Sequence, residues 1–172
     1  MYLTIIALTL LSAAITYFVT PKVIKFANKF GLVDNPKIRP HPAHIHLGIL
    51  PRAGGLGLLL GIILPSFLVF PFNRLLCGII VASSLLVAVG LWDDKKDRSP
   101  YIRLLTNALA ALIMIIVGVN IPYITNPFGG IWRLDIIPLL SYLVAFVWIL
   151  WTTNIIGWSG GVDGQLPGFV DI

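Results

Sequence analysis

Uncharged runs constrain this chain more than any other feature of it. Of 172 residues only 12 are Lys or Arg and 7 are acidic, and all seven acids are Asp. They are grouped so that residues 1–21, 53–73, 75–92, 104–132 and 136–162 carry no charge. Each run is about as long as the ~20 apolar residues with which an α-helix crosses a bilayer. With 58% hydrophobic residues and a mean hydropathy of +0.94, an ordinary soluble domain and a disordered chain are both excluded. The expected fold class is an all-α integral membrane protein. About five transmembrane helices are expected, near 2–20, 54–72, 75–92, 104–121 and 138–156. The first run does not read as a cleaved signal peptide, because it lacks a basic leader, is too long, and is followed by Lys22 and Lys25.

The basic residues predict the orientation. Lys22, Lys25, Lys29, Lys37, Arg39 and Arg52 lie between the first two helices, and Lys95, Lys96, Arg98 and Arg103 lie between the third and fourth or at the start of the fourth. Only Arg74 and Arg133 fall on the other side. This asymmetry puts the N-terminus outside and the two basic loops and C-terminus in the cytoplasm. The net charge of +5 is therefore mainly a topology signal, with an anionic ligand or lipid headgroup as a second reading. Nucleic acid is not an expected partner, since the charges are divided between loops of a membrane protein. Cys77 is the single cysteine, so no disulfide forms within the chain.

The chain reads as one membrane domain over 1–172, with cytoplasmic loops at about 21–53 and 93–103 and a cytoplasmic tail at about 157–172. In the first loop, Lys22 to Phe30 has the spacing of a short interfacial helix with a basic and an apolar side, stopped at Gly31. Pro36, Pro40, Pro42 and Pro51 forbid a long helix after it. On the opposite side a short connection surrounds Pro71 to Arg74. A longer one, 121–137, has turn residues at Asn126-Pro127 and Gly129-Gly130.

Three segments are suited to chemistry. In Gly90-Leu91-Trp92-Asp93-Asp94-Lys95-Lys96-Asp97-Arg98, adjacent carboxylates end an apolar run. A carboxylate there is costly and points to function, most simply through a divalent cation between the two. A helix C-terminus is a poor place for negative charge, which Lys95 and Lys96 partly compensate. Residues 154–168 form a glycine-rich stretch carrying Asn154 and Asp163, suited to close backbone approach to a phosphate or a base. The third segment runs from Asp34-Asn35-Pro36 through Arg39 and the histidines 41, 44 and 46 to Pro51-Arg52-Ala53-Gly54-Gly55. Arg39 and Arg52 are suited to bidentate contact with phosphates. A zinc site at His44 and His46 is not expected, with no cysteine or carboxylate cluster beside them. Gly57 and Gly61 read as a helix-packing step.

In this order and topology the three segments resemble the polyprenyl-phosphate N-acetylhexosamine-1-phosphate transferase family, which includes the phospho-N-acetylmuramoyl-pentapeptide translocase. The matching residues are Asp34, Pro36, Arg39, His46, Pro51, Arg52, Gly54 and Gly55 in the first loop. In the second segment they are Gly90, Asp93, Asp94, Ser99, Pro100, Arg103, Leu104, Ala110 and Ala111, and in the third Asn154, Gly161, Asp163, Gly164 and Gly168. The resemblance implies attack of a polyprenyl phosphate on the β-phosphate of a UDP-linked amino sugar, with magnesium as cofactor. The products are a polyprenyl-diphospho-sugar and UMP, as the first step of a cell-envelope glycan. It assigns Asp94 to the metal, Asp93 to the metal or the lipid phosphate, and Arg52 or Arg103 to phosphates. Arg39 and His46 join the substrate-binding set, and Asn154 and Asp163 fall near the nucleotide. It implies a multi-pass protein of the inner (plasma) membrane with its active face cytoplasmic, and leaves a homodimer open.

The chain departs from the family pattern at Gly157 and Gly160, where a second Asn and a first Asp are usual, and at Gln165-Leu166-Pro167. Its loop between Arg39 and His46 is longer. The family has about ten helices, with a further metal-binding Asp and a histidine cluster in later segments. The chain is thus expected to be the N-terminal portion of a ten-helix bundle and inactive alone. The alternative is a noncatalytic, degenerate membrane relative that binds lipid phosphate or a partner subunit. A transporter or channel is disfavoured, because the Asp cluster lies at a helix end and not in a bundle interior.

Overall fold

Each uncharged run becomes a helix, as the bilayer requires of a backbone that must satisfy its own hydrogen bonds. The structure, a computed structural model, describes residues 2–34, 49–96 and 99–158. Among the described residues five helices follow in order, α1 (Tyr2–Phe30), α2 (Gly54–Val69), α3 (Arg74–Lys96), α4 (Pro100–Ile116) and α5 (Pro138–Trp158). Two small antiparallel ladders accompany them, β1 (Val33–Asp34) with β2 (Leu50–Pro51), and β3 (Tyr123–Thr125) with β4 (Ile131–Arg133). α1 packs on α2, α3 on α4 and α4 on α5, with a lighter contact between α2 and α3. α1, α3 and α5 are long and apolar enough to cross a membrane, whereas α2 and α4 are shorter apolar helices of 16 and 17 residues. The chain is an all-α membrane protein.

The interior holds small residues and the exterior large ones. Gly57, Gly61, Ala82, Ala110, Ala111 and Ala145 are buried, while Leu3, Leu58, Leu68, Leu143 and Trp148 are more than half exposed. Lipid tails are as apolar as leucine, so helices associate by close backbone approach, which small residues permit. Gly57 and Gly61 face Thr20 and Thr16 of α1, and a methyl group at Gly61 would collide with the Thr16 side chain. At Gly78 of α3 it would lie 2.7 Å from Val117, just beyond α4. The packing step expected at Gly57 and Gly61 is therefore the α1–α2 contact.

The largest departure from the expected boundaries is at the end of α1. No break separates a membrane helix ending near residue 20 from an interfacial helix over 22–30; α1 runs through both, with Pro21 inside it. Pro21 removes one backbone hydrogen bond, which neighbouring hydroxyls and packing can offset in membrane helices. The segment beyond the proline is held by burial of Val23 and Ala27 against Leu32 and Ala53. The helix stops where expected, at Gly31 with φ of +71°.

α3 starts at Asn73, whose Oδ1 accepts from the Leu76 N–H at 2.8 Å. α4 starts at Ser99, whose hydroxyl accepts from the Tyr101 N–H, with Pro100 in the first turn. Both are favoured helix openings. The connection after α4 folds into the β3–β4 hairpin around Asn126, whose side chain accepts from the Phe128 N–H at 3.0 Å. Arg133 closes its base by donating to both carboxylate oxygens of Asp135. The hydrogen bond from Arg133 holds the Asp135 carboxyl below the ordinary carboxylate range.

Two outcomes follow from this packing. Gly61→Val lowers thermal stability in detergent by about 1–3 kcal/mol, as overpacking does, whereas Ile62→Val on the exposed face leaves the melting curve in place. The Asp135 carboxyl, followed by NMR, titrates below an ordinary Asp, and Arg133→Gln brings it back. With a folded pKa below the unfolded one, the tie is complete above the unfolded value and is lost as pH falls through the folded value.

Candidate functional site

Charges that lie far apart in sequence meet at one end of the bundle. Asp93 and Asp94 occupy the last turn of α3, with Lys95 and Lys96 beyond them as counter-charges to the helix dipole. Adjacent helical residues point about 100° apart, so the two carboxylates face different neighbours. Asp93, only 3% exposed, turns to α4, where Arg103 donates to its Oδ2 from Nε at 2.6 Å and also from Nη2. Asp94, on the more open side, meets Arg52 just before α2, with Nε and Oδ1 3.3 Å apart. A buried carboxylate needs such a partner, since charge without compensation is strongly disfavoured in an apolar surround.

Backbone geometry puts both arginines in place. Arg52 follows β2, whose register pairs Val33 with Pro51, and its N–H donates to the Leu32 carbonyl at 2.9 Å. The end of α1 thereby holds the start of α2. Arg103 stands in the first turn of α4, and the Ser99 cap and Pro100 set how that helix begins.

One turn along α4 from Arg103, Asn107 reaches across to α5 and donates from Nδ2 to Asn154 Oδ1 at 3.1 Å. Asn154 in turn donates to the Leu150 carbonyl of its own helix at 2.7 Å. Arg103, Asn107, Thr153 and Asn154 supply polar groups to a groove of 740 Å³ between α4 and α5, whose walls include Leu104 and Trp151. An apolar groove with a few convergent polar groups is the usual form of a binding site for a small or amphipathic molecule.

Of the residues singled out in sequence, Asp93, Asp94, Arg52 and Arg103 therefore stand together, with Asn154 on the neighbouring helix. Arg39, His46 and Asp163 lie outside the described residues, as do Asp97 and Gly160. Asp93 and Asp94 each face a guanidinium group, a pairing that sequence reasoning did not anticipate. It also missed Asn107, although an Asn four residues after Arg103 in an otherwise uncharged run was a signal.

The donor set fits magnesium. Among the described residues no group of three His, Cys, Asp or Glu gathers as a ligand cage. Magnesium, however, takes one or two carboxylates and completes its shell with water and substrate phosphates. Asp94 supplies a hard oxygen donor that is one-fifth exposed. Asp93 is less accessible, because Arg103 engages one of its oxygens twice.

The family model of glycosyl transferase family 4 matches residues 76–171. The chain is 26% identical over 171 residues to the probable undecaprenyl-phosphate N-acetylglucosaminyl 1-phosphate transferase of Bacillus subtilis, covering 95% of this chain and 44% of that protein. It is 27% identical over 168 residues to the decaprenyl-phosphate N-acetylglucosaminephosphotransferase of Mycobacterium tuberculosis, covering 92% and 41%. Against the undecaprenyl-phosphate alpha-N-acetylglucosaminyl 1-phosphate transferase of Salmonella typhi it is 30% identical over 175 residues, covering 96% and 45%. The chain thus spans less than half the length of these curated relatives. No solved structure matches it.

Arg103→Gln takes the counter-charge from a buried carboxylate and lowers stability by about 1–3 kcal/mol. Adding Asp93→Asn recovers a large part of that loss, which thermal unfolding of the single and double variants measures. Additive losses would show that the pair does not couple.

Proposed function

Glycosyl transferase family 4 is the family to which this chain belongs, and from that premise we propose that it serves the transfer of N-acetylglucosamine 1-phosphate from a UDP-sugar to polyprenyl phosphate. The observation that carries the reading is the meeting of Asp93 and Asp94 with Arg103 and Arg52, drawn from α3, α4 and the segment that leads into α2 to one end of an apolar bundle. The names of the relatives support the lipid acceptor and the amino sugar.

A phosphate oxygen of the lipid attacks the β-phosphorus of the nucleotide sugar. A new P–O–P bond forms, the bond from the β-phosphorus to the bridging oxygen breaks, and UMP leaves with that electron pair. The lipid phosphomonoester carries about −1.5 to −2 charge at neutral pH, so it needs little help from a base. The harder task is to bring two anions together and to neutralise charge as it develops. Arg52 and Arg103 are suited to gripping phosphates, and when they turn to substrate they release Asp94 and Asp93. Those two carboxylates would hold magnesium, which when bound draws negative charge from the diphosphate. Asn154, together with Asp163, serves the nucleotide. Arg39 and His46 join the substrate-binding set. The basic asymmetry of the loops supports a cytoplasmic location for this end of the bundle, in the plasma membrane.

The test is UMP release from UDP-N-acetylglucosamine and undecaprenyl phosphate by membranes carrying this chain within a protein of its relatives' length. Release requires both substrates, stops with EDTA and returns with magnesium. Asp94→Asn lowers it by about 10²-fold or more. Undiminished release in that variant would remove the metal role of Asp94. Binding of undecaprenyl phosphate without any turnover would favour the noncatalytic alternative.

A further inference from the structure

We infer that Asn107 is a positioning residue, which fixes the side-chain amide of Asn154 for the nucleotide sugar. The inference rests on the proposed function above and adds to it a residue on a different helix. The orientation of the Asn154 amide follows from its partners. The Leu150 carbonyl can only accept, so Nδ2 of Asn154 faces it, at 2.7 Å. Oδ1 is then turned to α4, where only a donor suits it, and Asn107 Nδ2 supplies that donor at 3.1 Å. Both amides border the same groove as Arg103.

The other polar member of that wall on α5 is already engaged. The Thr153 hydroxyl donates back to the Ile149 and Leu150 carbonyls of its own helix. An amide has two N–H groups and a carbonyl oxygen. With one N–H of Asn154 at Leu150 and its oxygen at Asn107, the second N–H has a set direction. Without Asn107 the amide keeps its hold on Leu150 but is free to swing at the oxygen end.

Magnitudes separate positioning from mere stabilisation. A hydrogen bond between membrane helices changes a folding equilibrium by a factor of only about three on average. If holding the helices together were the whole role of the pair, losing it would barely move substrate recognition.

The experiment is a double-mutant cycle of Asn107→Leu and Asn154→Ala, with Asn107→Gln as the conservative variant. UDP-N-acetylglucosamine binding, KM, kcat and thermal unfolding are measured on the same protein of the relatives' length, reconstituted in membranes. Asn107→Leu raises KM for the nucleotide sugar about three- to tenfold, leaves KM for undecaprenyl phosphate in place, and shifts the melting temperature little. Asn107→Gln restores a large part of the loss. In the Asn154→Ala background, Asn107→Leu has no further effect on KM. An unchanged KM in Asn107→Leu, or an effect that persists in full without Asn154, would overturn the inference alone. Failure of the wild-type protein to bind the nucleotide sugar would overturn both this inference and the proposed function.

Discussion

Negative charge at the end of an apolar helix must be compensated, and the arrangement of the neighbouring helices answers that requirement. Asp93 is buried where α3 leaves the hydrophobic part of the bundle, and its guanidinium partner arrives from α4. Asp94 faces the other way, to the residue that introduces α2. Asn107 and Asn154 add a neutral clasp between α4 and α5. Among the described residues a polar pair thus links the approach to α2 with α3, another α3 with α4, and another α4 with α5, and each draws on residues that the proposed chemistry uses. Such pairs add little net stability but penalise wrong registers heavily, because a misplaced helix would leave a carboxylate in hydrocarbon without its partner.

Away from that end the bundle relies on shape. Glycine and alanine line the contacts, and hydroxyls such as Thr9, Ser66 and Ser83 donate to carbonyls one turn back in their own helices. Large side chains are left to lipid. The same logic explains the tie after α4, where the Ser141 hydroxyl of α5 donates to the Ile121 carbonyl at 2.7 Å. The apolar helices therefore contribute specificity through close approach, and the polar pairs through charge and hydrogen bonding.

Much of this was legible in sequence, because the bilayer makes helix position a matter of counting uncharged residues. The openings of α2, α3 and α5 fall within a residue of expectation. α4 opens four residues early, because Ser99-Pro100 is a better helix start than the edge of the uncharged run. Pro21 and Lys22 looked like an ending, yet burial of Val23 and Ala27 outweighs one lost backbone hydrogen bond. The β3–β4 hairpin was read as a connection with turns; Tyr-Ile-Thr and Ile-Trp-Arg around Asn126 to Gly130 carried a strand signal too short to stand out. Of the candidate site, the residue types were legible but their partners were not. Which arginine meets which carboxylate depends on helix rotation and crossing, and neither is written in spacing along the chain.

The unbroken α1 has a mechanical consequence. At 29 residues it is about 44 Å long, and its uncharged part, residues 2–21, is about 30 Å, the thickness of the hydrocarbon; a thinner bilayer leaves that part too long, and such a helix tilts. Its far end passes directly into Leu32, whose carbonyl holds the backbone of Arg52. A change of tilt therefore moves the lever that carries Arg52, the partner of Asp94. The composition of the surrounding lipid, through its thickness alone, becomes an input to the geometry of the site.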